Sequence, residues 1–171
     1  MAGTDVVVRE RGVGDLDACL RALRSVQETD GYPVVWPRDP LGWLTPAGVV
    51  GGWVAELDGV VVGQVLLGPA GEGLAADAGL PAAELVSVVR LFVGVAARGR
   101  GVARLLLARA TEEAARLGRR PVLEVETRAE AAIALYERAG WKLVGTRVAD
   151  WRRQDGSAAH VHTYLGPVAA D

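Results

Sequence analysis

The feature that most constrains this chain is an abrupt change of pattern between residues 91 and 104. Leu91-Phe92-Val93 ends an apolar run of β type, and an Arg/Gly turn follows at residues 98–101. From Val102 the apolar residues recur at helical spacing, and Gly118 is a plausible end for that helix. A strand that passes through a tight turn into a helix predicts a mixed α/β structure with helices packed on a sheet.

The same turn predicts an anion site. The first N–H groups of a helix have no partner inside the helix, and the helix dipole makes this end positive. Gly99 and Gly101 would let an anion approach the backbone closely. We therefore expect the turn to bind a phosphate or pyrophosphate group and the chain to use a phosphorylated cofactor.

Two other phosphate-binding motifs fit poorly. A dinucleotide-binding fingerprint has a third glycine at the position of Arg104, and it lies early in a βαβ unit, whereas this turn follows several predicted strands. A P-loop continues with Gly-Lys and then Ser or Thr, and this chain has no such sequence after the turn.

Composition restricts the class of protein. The 171 residues predict a single domain spanning residues 1–171, and the formal net charge of −2 gives no general argument for binding nucleic acid or membrane. Cys19 is the only cysteine, which excludes an internal disulfide. With no signal-peptide pattern and no apolar run of about 20 residues, we expect a cytoplasmic protein. The bias towards arginine, alanine and glycine suggests a GC-rich bacterial genome.

The rest of the chain alternates predicted strands and helices. Strands are predicted at 5–10, 53–57, 60–67, 85–95, 121–127, 141–151 and 159–165, and helices at 15–26, 103–117 and 129–139. Asp58-Gly59 and Asp155-Gly156 are expected at turns between adjacent strands. The order β-α-β-β-β-α-β-α-β-β predicts a mixed sheet with helices on its faces.

Two segments are expected to lack long regular elements. Four prolines between residues 28 and 50 exclude a continuous helix or strand there, and Tyr32, Trp36 and Trp43 lie among them. Residues 68–83 are rich in Gly, Ala and Pro and are predicted to form a mobile loop.

Two motifs together resemble the GNAT superfamily of acyl-CoA-dependent N-acetyltransferases. The first is Leu91-Phe92-Val93 followed by Arg98-Gly99-Arg100-Gly101-Val102-Ala103, which is similar to the family's Gln/Arg-x-x-Gly-x-Gly/Ala turn after a strand. The second, residues 132–141, resembles the Ala-x-x-Leu-Tyr-x-x-x-Gly-Phe segment, with Trp141 in place of Phe. One departure is Ala129, where the family often has an asparagine that contacts the pantetheine arm or the neighbouring strand.

The resemblance implies an α/β (α+β) fold with a central mixed, mostly antiparallel, splayed sheet of about seven strands flanked by helices. It implies acetyl-CoA as cosubstrate, without a metal, and possible homodimers. Backbone N–H groups from Arg98 to Arg104 would hold the CoA pyrophosphate, with the side chains of Arg98, Arg100 and Arg104 as further donors. The cofactor-binding residues implied in this way are Leu91, Phe92, Val93, Arg98, Gly99, Arg100, Gly101, Val102, Ala103 and Arg104.

The resemblance also implies that Tyr136 is the general acid to the departing CoA thiolate. A phenol with an ordinary pKa near 10 is protonated at neutral pH and can protonate a thiolate. The acceptor amine needs the opposite help, because only about one molecule in a thousand is unprotonated at pH 7, at a cost of roughly 4 kcal/mol. Glu84 is the first candidate for a general base, and Asp30, His160 and His162 are alternatives.

The acceptor is expected to be a primary amine of a small molecule or a peptide. Tyr32, Trp36 and Trp43 either anchor a long loop or line the acceptor site, where an amine would make cation–π contacts. Direct transfer is expected because Cys19 lies on the first helix, away from both motifs. The alternative from another class is a non-catalytic CoA-binding or sensing module on the same fold; a third is an aromatic loop that binds a protein partner.

Overall fold

The computed structural model describes residues 5–168 of the chain. These residues form seven strands and five α-helices. The strands are β1 (Val6–Glu10), β2 (Gly51–Leu57), β3 (Val60–Gly68), β4 (Leu85–Val93), β5 (Arg120–Glu126), β6 (Lys142–Arg152) and β7 (Ala158–Leu165). The helices are α1 (Leu16–Asp30), α2 (Pro40–Trp43), α3 (Glu72–Ala78), α4 (Val102–Arg116) and α5 (Glu130–Arg138).

The strands form one open sheet in the order β1-β2-β3-β4-β5-β7-β6. Antiparallel pairs join β1 to β2, β2 to β3, β5 to β7 and β6 to β7. The strands β4 and β5 are parallel, with residues 85–87 paired to residues 120–122. The predicted fold class, a mixed and mostly antiparallel sheet flanked by helices, is confirmed.

The chain divides into two compact units, and β4 and α4 each contribute residues to both. The first unit comprises the residues up to Leu67 together with Val89–Ala110, and the second comprises Gly68–Val88 and the residues from Thr111 onwards. A hydrophobic cluster of α1, β2 and β4 lies in the first unit and consists of Cys19, Ala22, Leu23, Val26, Leu44, Val54 and Phe92. The second unit has its own cluster of Leu74, Leu85, Val122 and Leu165.

The first hairpin turn has the predicted chemistry. Asp58 and Gly59 both have positive φ, 52° and 78°, which is the geometry of a type I′ turn. This turn twists in the same sense as the flanking strands, so β2 and β3 pair directly across it.

The prediction of a mobile loop at residues 68–83 is wrong. The segment contains α3 and a short 3₁₀ turn at Ala82–Glu84. Leu74 is buried against the second cluster, and the Asp77 carboxylate accepts hydrogen bonds from Arg147 at 2.7 Å and from the Thr163 hydroxyl at 2.6 Å. Contacts distant in sequence hold this helix, and its small residues show no apolar stripe that would predict it.

Two further boundaries differ from those predicted. The first helix continues to Asp30 and ends at Gly31, and a single helical turn, α2, begins at Pro40 within the proline-rich segment. The Asp39 carboxylate caps α2 by accepting from the Gly42 N–H at 3.0 Å. Strand β4 ends at Val93 because a 3₁₀ turn forms at Val95–Ala97.

Within residues 5–168, no helix is both long enough and apolar enough to cross a membrane.

Candidate active site

The turn between β4 and α4 requires its two glycines. Gly99 and Gly101 have φ values of 77° and 75°, in the left-handed region. At each position, the left-handed backbone of a residue with a side chain would cost about 1–2 kcal/mol of stability. The glycines therefore belong to the bend itself and allow α4 to begin directly after it.

The first N–H groups of α4 have no partner within the helix. The Leu105 N–H donates to the Gly101 carbonyl at 3.1 Å, whereas the N–H groups of residues 102–104 have no carbonyl one turn earlier within the helix. The glycines and Arg104 are exposed, and Val102 is buried with 2% of its surface accessible. Val102 thus offers a backbone N–H and no side-chain contact, and an anion can reach the backbone at the glycines.

Arginine side chains surround this turn. The Arg98 guanidinium pairs with the Asp30 carboxylate at the end of α1. A terminal nitrogen of Arg104 lies 3.6 Å from the position that a Cβ atom on Gly101 would occupy, so this guanidinium folds back over the turn. Backbone N–H groups with an adjacent guanidinium form a donor set that suits the two phosphates of a diphosphate.

Helix α1 supports the segment that leads into the turn. The Ser25 hydroxyl donates to the Ala22 carbonyl at 2.7 Å and accepts from the Val95 N–H at 3.1 Å. With the Asp30–Arg98 pair, α1 contacts this segment on both sides of Ala97. The turn is thus held by tertiary contacts as well as by its own backbone geometry.

The predicted cofactor-binding residues of β4 differ in where their side chains lie. Phe92 is buried with 4% of its surface accessible and packs in the first cluster, while Leu91 and Val93 are half-buried. Because the Phe92 side chain is buried, this residue could contact a ligand only through its backbone.

A strained residue in β4 escaped the sequence analysis. Arg90 has a φ of 53°, which costs a residue with a side chain of order 1–3 kcal/mol. Buried Gln64 on β3 supports it by donating to the Arg90 carbonyl at 3.3 Å, and Gln64 itself accepts from Arg11 at 2.8 Å. The sequence contains one signal for a special role of this residue: Arg90 is the one charged residue in the otherwise mostly apolar run 85–93.

Two of the predicted acceptor-site aromatics meet at Arg90. The rings of Tyr32 and Trp43 lie edge to face with centroids 5.9 Å apart, and the Arg90 guanidinium carbon is 3.9 Å from the Trp43 ring centroid. Trp36 instead contacts Arg24 of α1, at 4.8 Å. An arginine of the chain thus lies over a face of both Trp36 and Trp43.

Tyr136 lies in the second unit, near the end of α5. It is buried with 8% of its surface accessible, and its ring centroid is 6.1 Å from that of Trp141 and 6.2 Å from that of Tyr164. The Trp141 N–H donates to the Tyr136 carbonyl at 3.0 Å as the helix ends. The Tyr164 hydroxyl donates to Glu137 at 2.9 Å, and burial followed by this bond raises the pKa of Tyr164.

The candidate bases occupy different surroundings. Glu84 is exposed in the 3₁₀ turn just before β4, and Asp30 is paired with Arg98. On β7, His160 is exposed, while the His162 Nδ1 atom lies 2.7 Å from the Thr146 hydroxyl. Across the described part of the chain, no group of three or more His, Cys, Asp or Glu residues is arranged to hold a metal ion.

Comparison with known proteins decides the family. The model of the acetyltransferase (GNAT) family matches residues 18–141, which include the turn and Tyr136. The chain belongs to the GNAT family. Among curated proteins, none matches the sequence significantly.

Solved structures of other GNAT proteins share the fold over nearly their whole length. A GCN5-related N-acetyltransferase from Kribbella flavida has 26% identity and a TM-score of 0.71, with 95% of this chain and 98% of that chain covered. A ribosomal-protein-alanine N-acetyltransferase from Brucella melitensis has 25% identity and a TM-score of 0.73, with coverages of 95% and 99%. Arabidopsis thaliana NAA60 in complex with acetyl-CoA has 19% identity and a TM-score of 0.72, with coverages of 94% and 97%.

Membership of the GNAT family supports acetyl transfer as the general activity of this protein. The departure at residue 129 is visible at the start of α5. Ala129 is the capping residue of that helix and makes no side-chain cap hydrogen bond.

Proposed function

We propose that this GNAT protein transfers the acetyl group of acetyl-CoA directly to a primary amine of a small molecule or peptide. The observation that carries the proposal is the turn at residues 98–104, where exposed glycines, backbone N–H groups and Arg104 suit a diphosphate. Acetyl-CoA supplies an activated acetyl thioester. The side chains of Arg98 and Arg100 are proposed to add donors, and the backbone of residues 91–93 to bind the pantetheine arm.

Direct transfer is consistent with the state of the lone thiol. Cys19 is fully buried on α1, and burial raises the pKa of its thiol to about 11. At neutral pH almost none of this thiol is ionised, and the thiolate is the nucleophilic form. A covalent acyl-enzyme on Cys19 would therefore form very slowly.

Tyr136 is proposed as the general acid that protonates the CoA thiolate. It lies in the segment that resembles the family's Tyr motif, and its ring is held by Trp141 and Tyr164. Rigid packing of the ring would keep the hydroxyl in one position, which is what proton donation in a transition state requires.

Glu84 remains the proposed general base. It is exposed and has a carboxylate that can act directly or through water. Asp30 is a weaker candidate because its carboxylate is paired with Arg98. Tyr32, Trp36 and Trp43 are proposed to contact the acceptor.

The test compares Tyr136→Phe with Tyr164→Phe. Both variants remove one hydroxyl from a packed ring of the second unit. Tyr136→Phe is expected to lower kcat by about 10²–10⁴-fold while leaving the Kd for acetyl-CoA unchanged, and Tyr164→Phe is expected to retain the rate. Release of CoA thiol from a panel of amines measures kcat, and calorimetry measures the Kd.

Three outcomes of this comparison discriminate between the proposals. Full activity in Tyr136→Phe would show that the phenol is not the acid. Binding of acetyl-CoA by the wild-type protein without turnover on any amine would favour the non-catalytic CoA-binding module. Loss of rate in both variants would point to general damage to the packing of the three aromatic rings.

A further inference from the structure

The Arg90 guanidinium contacts an aromatic ring and a backbone carbonyl of the first unit. Its Nε donates to the Trp43 carbonyl at 3.2 Å, and its guanidinium carbon lies 3.9 Å from the Trp43 ring centroid. Within residues 5–168, no carboxylate lies within ion-pair distance of this guanidinium. Its two terminal nitrogens carry four N–H donors, and the hydrogen bond to Trp43 uses none of them because it comes from Nε.

The surroundings hold this guanidinium in place and leave the residue Arg90 partly exposed. Arg90 and Trp43 are half-buried, and Tyr32 keeps 37% of its surface exposed. The left-handed backbone of Arg90 and the hydrogen bond from Gln64 fix where the side chain leaves β4. A fixed guanidinium loses less side-chain freedom on binding a ligand than a free surface arginine would.

Arg90 also lies next to the strand segment proposed to bind the pantetheine arm. It directly precedes Leu91 in β4, so their Cα atoms are about 3.8 Å apart. A group bound by the Arg90 guanidinium would thus lie within the reach of one arginine side chain of the residue that precedes this segment.

We propose that Arg90 recognises an anionic oxoacid group on the acceptor, so that the preferred substrate is an amine that also carries a carboxylate or phosphonate. Guanidinium groups bind such oxygens with two parallel hydrogen bonds, and the adjacent rings of Tyr32 and Trp43 would contact the carbon skeleton of the acceptor. This inference rests on the proposed amine acetylation and names the class of its substrate.

The charge of Arg90 bears on the earlier expectation of a cation–π contact with the amine. Arg90 lies over the Trp43 ring at 3.9 Å, so a second cation on that face would meet like charge. An acceptor that places its anionic group, and not its ammonium group, at this position avoids that repulsion.

The test uses matched acceptors that differ in one charge: amino acids, their carboxamides and the corresponding aminophosphonates. Wild-type protein is expected to show a kcat/KM at least about tenfold higher for acids than for amides, with the difference mainly in KM. Arg90→Gln is expected to reduce this preference to about threefold or less. Arg24→Gln removes the other arginine stacked on a tryptophan and should keep the preference. The phosphonate arm separates a general oxoacid site from one shaped for carboxylates.

A second measurement needs no turnover. Calorimetry of the wild-type protein is expected to show binding of an N-acetyl amino acid and no binding of its amide. In Arg90→Gln, the affinity for the acid is expected to fall at least about tenfold. Equal treatment of acids and amides by the wild-type protein, in kinetics or binding, would overturn the proposal even if Arg90→Gln did not fold. Failure to bind acetyl-CoA would instead count against the proposed function, and that binding is measured separately.

Discussion

Gly101 determines how closely an anion can approach the backbone between β4 and α4. Its left-handed conformation turns the chain into the helix, and its exposed surface leaves room beside the Arg104 guanidinium. A methyl group here would be strained by the backbone and would lie 3.6 Å from a terminal nitrogen of Arg104. The 3.6 Å separation is an ordinary van der Waals contact, so the backbone strain is the effect that would act on the groups proposed to hold the diphosphate.

Gly101→Ala is therefore expected to weaken acetyl-CoA binding about tenfold and to lower stability by about 1–2 kcal/mol. The matched control is Gly156→Ala, which has the same kind of backbone cost, with a φ of 81°, in a turn of the second unit. It should lose similar stability and keep the affinity. Calorimetric titration measures the acetyl-CoA affinity of both variants, and thermal unfolding measures their stability. Equal affinity in the two variants would exclude the turn at residues 98–104 as a binding element.

Helix α1 links strand β1 to the proposed binding turn through side-chain contacts at its two ends. Its start is tied to β1 through Asp15, which accepts from two nitrogens of Arg9 at 2.8 Å each and from the Gly12 N–H at 2.7 Å. Its end contacts the turn through Asp30. The hydrogen bonds from Arg9 are the largest cause that lowers the pKa of Asp15.

The Asp15 carboxylate predicts how stability depends on pH. Because its pKa is lower in the folded protein, its contribution is complete above the ordinary carboxyl pKa of about 4 and is lost as the pH falls through the folded value. Asp15→Asn is expected to lower stability by about 1–2 kcal/mol at pH 7 and to flatten the decline in stability below about pH 4. The control is the exposed Asp17→Asn on the same helix. Denaturant unfolding over that pH range measures both, and parallel curves for Asp15→Asn and wild type would contradict the assignment.

Elements with a repeating apolar pattern or a marked turn could be predicted, and those held by distant contacts could not. The turn at Asp58 and the glycine bend before α4 follow from local backbone chemistry. Helix α3 depends on Asp77 meeting Arg147 and Thr163, residues far along the chain. The strain at Arg90 likewise depends on Gln64 and Trp43, so no local pattern indicates it.

At the scale of the whole molecule, family membership and fold were predictable because both motifs combine unusual backbone geometry with defined spacing. The matched region, residues 18–141, contains the turn, Arg90 and Tyr136. The acceptor was not predictable, because its recognition depends on side chains brought together by folding. Tyr32 and Trp43 were proposed from their position among prolines, and the guanidinium over the Trp43 ring is visible only in the structure.

The central claim is that backbone donors at residues 98–104 bind the diphosphate of acetyl-CoA. Calorimetric titration of the wild-type protein with acetyl-CoA and with acetyl-pantetheine, which lacks the diphosphate, tests it most directly. We expect saturable one-site binding of acetyl-CoA and an affinity at least about tenfold lower for acetyl-pantetheine. No binding of acetyl-CoA, or equal affinity for the two thioesters, would contradict it.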